Sequence, residues 1–296
     1  LLVPLAVAVE QVARAWKWRQ ILFPMRQVGI SPLFGAIMAG YLAGLLIPFG
    51  FSALARAWLV ARREALTTAG VLATVAIDRF TDGVVFALLV PVALLLVVFP
   101  DPGGEIRATL TWSAAGSLVL FAALLLALAA YKRAALRPGG QLMRLLDRFP
   151  ERAARALRGI AESFAEGIVW PREFWRGLGI VSAAVAIKLI AATHLLWAGL
   201  ALGVALRPGH YLFLIVFLGF VVILGHFARI PGSFIIGAVF ALGLFGVAEE
   251  PALAMALIVQ AASLLTVAAL GALALWRQGV ALADLRAAGA QRATSG

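Results

Sequence analysis

The sequence predicts an all-α fold, a polytopic bundle of transmembrane helices, on three observations. Of the 296 residues 63% are hydrophobic and 13% are charged, and the mean hydropathy is +1.00. Apolar runs at 66–99, 109–131, 178–206 and 252–276 reach the roughly 20 residues with which a helix crosses a hydrocarbon core of about 30 Å. No ten-residue rhythm of alternating apolar and polar positions appears, which argues against a membrane barrel with a polar lumen. Cysteine is absent. That excludes disulfides, thiol nucleophiles and cysteine-ligated metals, and says nothing about compartment.

The chain reads as one transmembrane domain over 1–296. Its first half is 1–131, an amphipathic connector occupies 132–176, the second half is 177–276, and a tail runs over 277–296. The opening "LLVPLAVAVEQVARAWKWRQ" enters an apolar segment already under way, so residues are expected before Leu1. It leaves that segment at a Trp/Arg/Lys cluster suited to a membrane interface.

Next comes "GAIMAGYLAGLLIPFGFSALARAWLVARR" at 35–63, where Pro48 and Gly50 fall in mid-run. Proline deletes a helical hydrogen bond and glycine tolerates the turn that follows. The stretch 211–247 is interrupted in the same way at Arg229, Pro231 and Gly232. A break at membrane depth is tolerated only where it is buried in protein or lines a wet cavity. Both segments are therefore expected to be broken, re-entrant helical hairpins. With a long span after each, they suggest an inverted repeat like that of many secondary transporters. Two proline-kinked helices without function are the alternative.

The connector 132–176 holds ten Lys/Arg, while 100–108 holds Arg107 alone beside Asp101 and Glu105. The positive-inside rule places the connector in the cytoplasm. By alternation 14–32 and the tail are cytoplasmic too, and 100–108 and "AEEP" at 248–251 face outward. Within the connector Leu142, Leu145, Leu146, Phe149, Ala153, Leu157, Ile160, Phe164 and Ile168 recur at helical spacing, one apolar face that Pro150 interrupts. It reads either as a helix on an anionic leaflet or as a connector packed on the bundle.

The net charge of +11 lies in short connections without a nucleic-acid motif, so membrane lipids and anionic phospholipid head groups are the expected partners and nucleic acid is not. His194, His210 and His226 show no metal-ligand spacing. "DPGGE" at 101–105 reads as a turn rather than a phosphate loop. No catalytic residues, metal or cofactor are assigned.

Asp78, Arg79 and Asp82 interrupt the apolar run "LATVAIDRFTDGVVFALL". Hydrocarbon disfavours ionised groups, so these should face a protein interior, a partner charge or water. On a helix Asp78 and Asp82 share a face, and Arg79 reaches Asp82 at i+3. One reading is structural, an Arg79–Asp82 pair that pins the helix. The other makes Arg79 part of a cationic pocket with Arg56 and Arg229, one from each break, gripping phosphate through the guanidinium fork. In that reading Asp82 steadies Arg79, Asp78 either braces or carries a proton, and half-helix N-termini add positive potential. Lys188 is a weaker candidate that reads equally as a snorkelling cation.

Over nearly its whole length the chain resembles the flippase-like lysylphosphatidylglycerol synthase transmembrane domain family, also met in hopanoid- and glycolipid-associated membrane proteins. The likeness is carried by "RAWKWRQIL" at 14–22, "LLIPFGFSALARAWLV" at 45–60, "VLATVAIDRFTDG" at 71–83 and "RIPGSFIIGAVFALGLFGV" at 229–247. Arg79 and Asp82 match the family's Arg-x-x-Asp, Pro48 and Arg56 match at the first break, and Pro231 and Gly232 match at the second. Ser52 and Ala53 stand where Gly-Glu is usual, and Ala238 lies near a usual Glu, the mark of a divergent member.

The resemblance implies movement of a phospholipid, aminoacylated lipid, hopanoid or glycolipid across the bacterial cytoplasmic membrane. It implies no enzyme activity in this domain, and partners that include a second copy or a lipid-biosynthesis enzyme. A non-transporting subunit of a lipid-modifying enzyme and a small-anion transporter are the alternatives.

Overall fold

The computed structural model describes residues 1–296 except 47–50, 99–100, 102, 138–140, 147, 172, 229 and 280–296, and only the backbone of 141–143 and 226–227. Pro48, Gly50, Arg229 and most of the tail therefore lie outside the described residues. Those that are described form helices without strands. They are α1 (Leu2–Leu22), α2 (Ile30–Leu46), α3 (Phe51–Glu64), α4 (Thr68–Leu96), α5 (Glu105–Ala135), α6 (Gln141–Leu146), α7 (Glu151–Gly167), α8 (Phe174–Ala201), α9 (Pro208–Phe227), α10 (Ser233–Gly243) and α11 (Glu249–Arg277).

Five helices are long and apolar enough to cross a membrane: α4, α5, α8, α9 over Pro208–Gly225, and α11. Each apolar run expected to span became one of these. Asp101 starts α5. Its carboxylate accepts from the backbone N–H of Ile106 at 3.2 Å and of Arg107 at 2.9 Å, two donors that the first helical turn leaves without a partner. Asp101 thus caps the start of the helix, and Gly104 just before it adopts φ +68°.

Both interrupted segments fold as pairs of helices packed on each other, α2 on α3 and α9 on α10. Lipid tails are as apolar as leucine, so hydrophobicity does little to drive helices together in a bilayer, and close backbone approach has to do more. Along α2 this is the role of Gly40, where an added Cβ would lie 2.9 Å from the carbonyl oxygen of Ser52. At the start of α10, Gly232 adopts φ +73°, a left-handed conformation open to a residue without a Cβ.

Contacts group the chain into two compact units. The first comprises Leu1–Ala13, Asp82–Phe121 and Ala184–Thr266, and the second Arg14–Thr81, Ala122–Ala183 and the residues from Val267 onward. The first unit has two apolar clusters, one around Leu214, Ala238, Leu242 and Met255 and one around Val90, Phe213 and Val216. The second is organised around Trp18, Ile21, Leu33, Ile37, Val60 and Ile180.

In the connector, Pro150 immediately precedes α7 and separates it from α6. Helix α7 is held to the end of α5. The Tyr131 hydroxyl donates to the Ala161 carbonyl at 3.1 Å, the Tyr131 and Phe164 rings meet edge to face at 5.6 Å, and Lys132 donates to the Ile168 carbonyl at 2.7 Å. Ala154 and Ala165 pack inward while Leu157 and Ile160 stay exposed.

Candidate functional site

The charged residues of α1, α3 and α4 within the second unit meet at one carboxylate. Asp78 binds Lys17 through Oδ1 at 3.0 Å and Arg56 through Oδ2 at 3.1 Å, and all three side chains are wholly buried. The Lys17 ammonium also donates to the Asp78 main-chain carbonyl at 2.8 Å, an oxygen that the Thr81 hydroxyl reaches at 3.0 Å. Lysine thereby clamps both the side chain and the backbone of residue 78. A buried ion pair is tolerable only when its remaining donors and acceptors are met, because desolvation costs several kcal/mol per ion.

The walls of the cluster come from α1 and α4. The Arg56 guanidinium lies 5.0 Å from the ring centre of Trp18, a cation–π contact strengthened by the absence of water. Trp18 is fixed in turn, because its indole N–H donates to the Thr74 hydroxyl at 3.0 Å, which donates to the Val71 carbonyl at 2.7 Å. Arg56 has one function unused. Nη2 is held by Asp78, but Nε and Nη1 are buried without a hydrogen-bond partner. A guanidinium carries five donors in a fixed fork, and an unmet buried donor costs about 1–3 kcal/mol.

Of the residues singled out in the sequence, the structure brings Arg56 and Asp78 together, on two helices separated by a turn in the chain. Arg79 points elsewhere. It is exposed on α4 and lies 5.9 Å from the ring centre of Tyr41 on α2, so the sealed Arg56 and the open Arg79 do not share one water-facing surface. Asp82, one turn on, is buried and belongs to the first unit. Lys188, also in the first unit, is partly buried with its ammonium 5.4 Å from the Phe86 ring centre. Of the four helix-breaking residues only Pro231 and Gly232 are described, and they form the turn before α10.

Sequence reasoning missed Lys17, Trp18 and Thr74. The cluster "RAWKW" reads as an interfacial belt, yet Lys17 and Trp18 are fully buried while Trp16 stays exposed, because protein covers the face of α1 that carries them. Arg14, Lys17 and Trp18 do fall on one helical face, but that spacing does not say what covers the face. A second missed pair is in the first unit, where His194 Nε2 lies 3.6 Å from Glu10 Oε2, both nearly buried. Among the described residues no group of three or more His, Cys, Asp or Glu could hold a metal ion.

Five helices able to cross a membrane and a sealed cation–carboxylate cluster on α1, α3 and α4 define a polytopic helical membrane protein. The family model for the lysylphosphatidylglycerol synthase TM region matches residues 1–271, and the chain belongs to that family. No curated protein and no solved structure matches it.

Proposed function

We propose that the chain translocates an anionic lipid across the bacterial cytoplasmic membrane, and that Arg56 recognises the phosphate. The observation that supports this reading most is the pair of buried, unmet donors on Arg56, Nε and Nη1, in a side chain already oriented by Asp78 and Trp18. Each of those nitrogens carries an N–H that can donate to a phosphate oxygen while Nη2 stays on Asp78. Asp78 and Lys17 hold the fork still, so little conformational freedom remains to be lost on binding.

The lipid undergoes no covalent step in this scheme. The acyl chains remain in the bilayer and only the head group passes through protein. The two helical hairpins act as re-entrant elements of an inverted repeat, and the loop charges support their return to opposite faces.

The test is a reconstituted vesicle assay that follows a fluorescent phosphatidylglycerol from one leaflet to the other. A charge-assisted hydrogen bond contributes about 1.5–3 kcal/mol, so Arg56→Gln should slow movement about ten- to a hundredfold. Arg56→Lys should recover little of it, because lysine keeps the charge and loses the fork. Wild-type rates in Arg56→Lys would refute two-point phosphate recognition. Vesicles that pass inorganic phosphate but leave the lipid in place would favour a small-anion transporter.

A further inference from the structure

A groove of about 730 Å³ runs beside the second half of α5, lined by Leu125 and Leu128 and, toward the end of that helix, by Lys132, Arg133, Leu136 and Trp170. A second chamber of about 350 Å³ shares Lys132 and Trp170 and continues to Arg176. Lys132 therefore stands where an apolar channel becomes a basic one. Its ammonium is held by the Ile168 carbonyl at 2.7 Å, which uses one of three donors and leaves two for a ligand.

Three observations fix the chemistry of the occupant. First, α5 is the least buried of the five long helices, with 6% of its most apolar stretch covered by protein, which leaves the groove open from the side to an acyl chain. Second, the polar end sits at the level of an aromatic belt, because Trp170, Phe174 and Trp175 are 52%, 75% and 76% exposed. Exposed tryptophans of this kind settle at the head-group layer. Third, among the described residues the charges there are Lys132, Arg133 and Arg176 against Glu173, and Glu173 already holds Arg176 at 2.7 Å. Gln20 at 3.1 Å and the Phe23 ring at 3.3 Å fix Arg176 further. A choline or ethanolamine head would bring its own cation against Lys132 and Arg133, whereas a head group that stays net negative is attracted.

We infer that this groove is a seat for an anionic glycerophospholipid. One acyl chain lies along Leu125 and Leu128, and the phosphate rests on Lys132 and Arg133 beside Trp170. A lipid held there bridges the end of α5 to the segment that leads into α8. The seat is separate from the buried Arg56 cluster and stands on its own observations.

The full chain in phosphatidylcholine nanodiscs, doped with a phosphatidylglycerol carrying a photoreactive diazirine on its acyl chain, provides the test. Irradiation followed by peptide mapping should place adducts on 125–136 and on 168–170. Unlabelled phosphatidylglycerol should compete these adducts away, and phosphatidylcholine should not. The double variant Lys132→Gln/Arg133→Gln should lose labelling about thirtyfold, since each interfacial cation contributes about one kcal/mol, and Leu128→Trp should lose it by filling the groove. Arg56→Gln should label like wild type.

The wild-type competition needs no variant and is decisive even if a variant misfolds. Adducts spread evenly over the lipid-facing sides of α5 and α11, or equal competition by phosphatidylcholine, would overturn the seat. So would labelling that disappears in Arg56→Gln but persists in Lys132→Gln/Arg133→Gln, since the lipid would then be bound at the buried cluster instead.

Discussion

The hairpins α2–α3 and α9–α10 are alike in outline and opposite in chemistry. Each is a pair of packed helices. Helix α3 carries Arg56, Arg62, Arg63 and Glu64 within fourteen residues, whereas α10, "SFIIGAVFALG", has no charge at all. The difference persists in what each hairpin buries, because Arg56 is buried against Asp78 and Trp18 while Ala238 is buried among Leu214, Leu218, Leu242 and Met255. A broken helix is thus not itself a binding site. The first hairpin becomes a candidate because its break is followed by a guanidinium that finds a carboxylate on α4. The second shows the same backbone device with apolar side chains packed around its described helix α10.

The largest effect that would break this contrast is expected at Asp78. Replacing it with asparagine leaves Lys17 and Arg56 buried without the charge that compensates both, and removal of one partner from a buried pair costs about 3–5 kcal/mol. Thermal unfolding of the purified Asp78→Asn variant should show that loss. The triple replacement Lys17→Met/Arg56→Met/Asp78→Leu removes every charge together and should regain most of the stability, because an apolar substitute for a buried ion cluster is often neutral or better. It should nevertheless move no lipid. A triple variant that flips lipid normally would mean that the cluster only holds the fold together.

Next in size is a carboxylate placed in each hairpin. Ala238 is fully buried in an apolar cluster, and Ala53 is only partly buried, three residues before Arg56 on α3. Ala238→Glu should cost about 3 kcal/mol, the scale of an ionisable group forced into hydrocarbon. Ala53→Glu should cost much less, since a glutamate at i reaches a cation at i+3 on the same helix. Measured melting temperatures in that order would support the contrast. Equal losses would mean that the first hairpin is as apolar around residue 53 as the second is around residue 238.

How much of this was legible in the sequence follows the same division. The long helices α4, α5, α8 and α11 were readable because length and hydropathy suffice for a membrane span. The two hairpins were readable because proline and glycine mark a break by their own backbone chemistry. Arg56 and Asp78 stood out as charges in apolar runs. Their partners did not, because Lys17 is 61 residues from Asp78 and sits in a stretch whose tryptophans and basic residues equally suit an interface. Whether such a cluster snorkels or is sealed depends on which helix covers α1, a tertiary fact with no local signal. The groove beside α5 was hidden for the same reason, since it joins residues 125–136 to 168–170.

The smallest effect concerns how tightly each hairpin is closed. A Cβ at Gly40 would lie 2.9 Å from the Ser52 carbonyl oxygen and 3.0 Å from Arg56 Cβ, whereas one at Gly237 would meet the side chains of Val221, at 2.7 Å, and Leu218, at 3.3 Å. Alanine gains about 1 kcal/mol of helix propensity over glycine at either position. At Gly237 the obstacles are methyl groups that can rock aside, so gain and clash should nearly cancel and lipid movement should be unchanged. At Gly40 the obstacle is backbone, which yields only if α3 shifts as a whole, and overpacking of that kind costs about 1–3 kcal/mol. Gly40→Ala should therefore be destabilised by about 1 kcal/mol net. It should also slow lipid movement, because the helix it displaces carries Arg56. Stability and flipping measured for both variants separate the hairpins, and a Gly237→Ala that slows flipping as much as Gly40→Ala would show that the second hairpin takes part in transport after all.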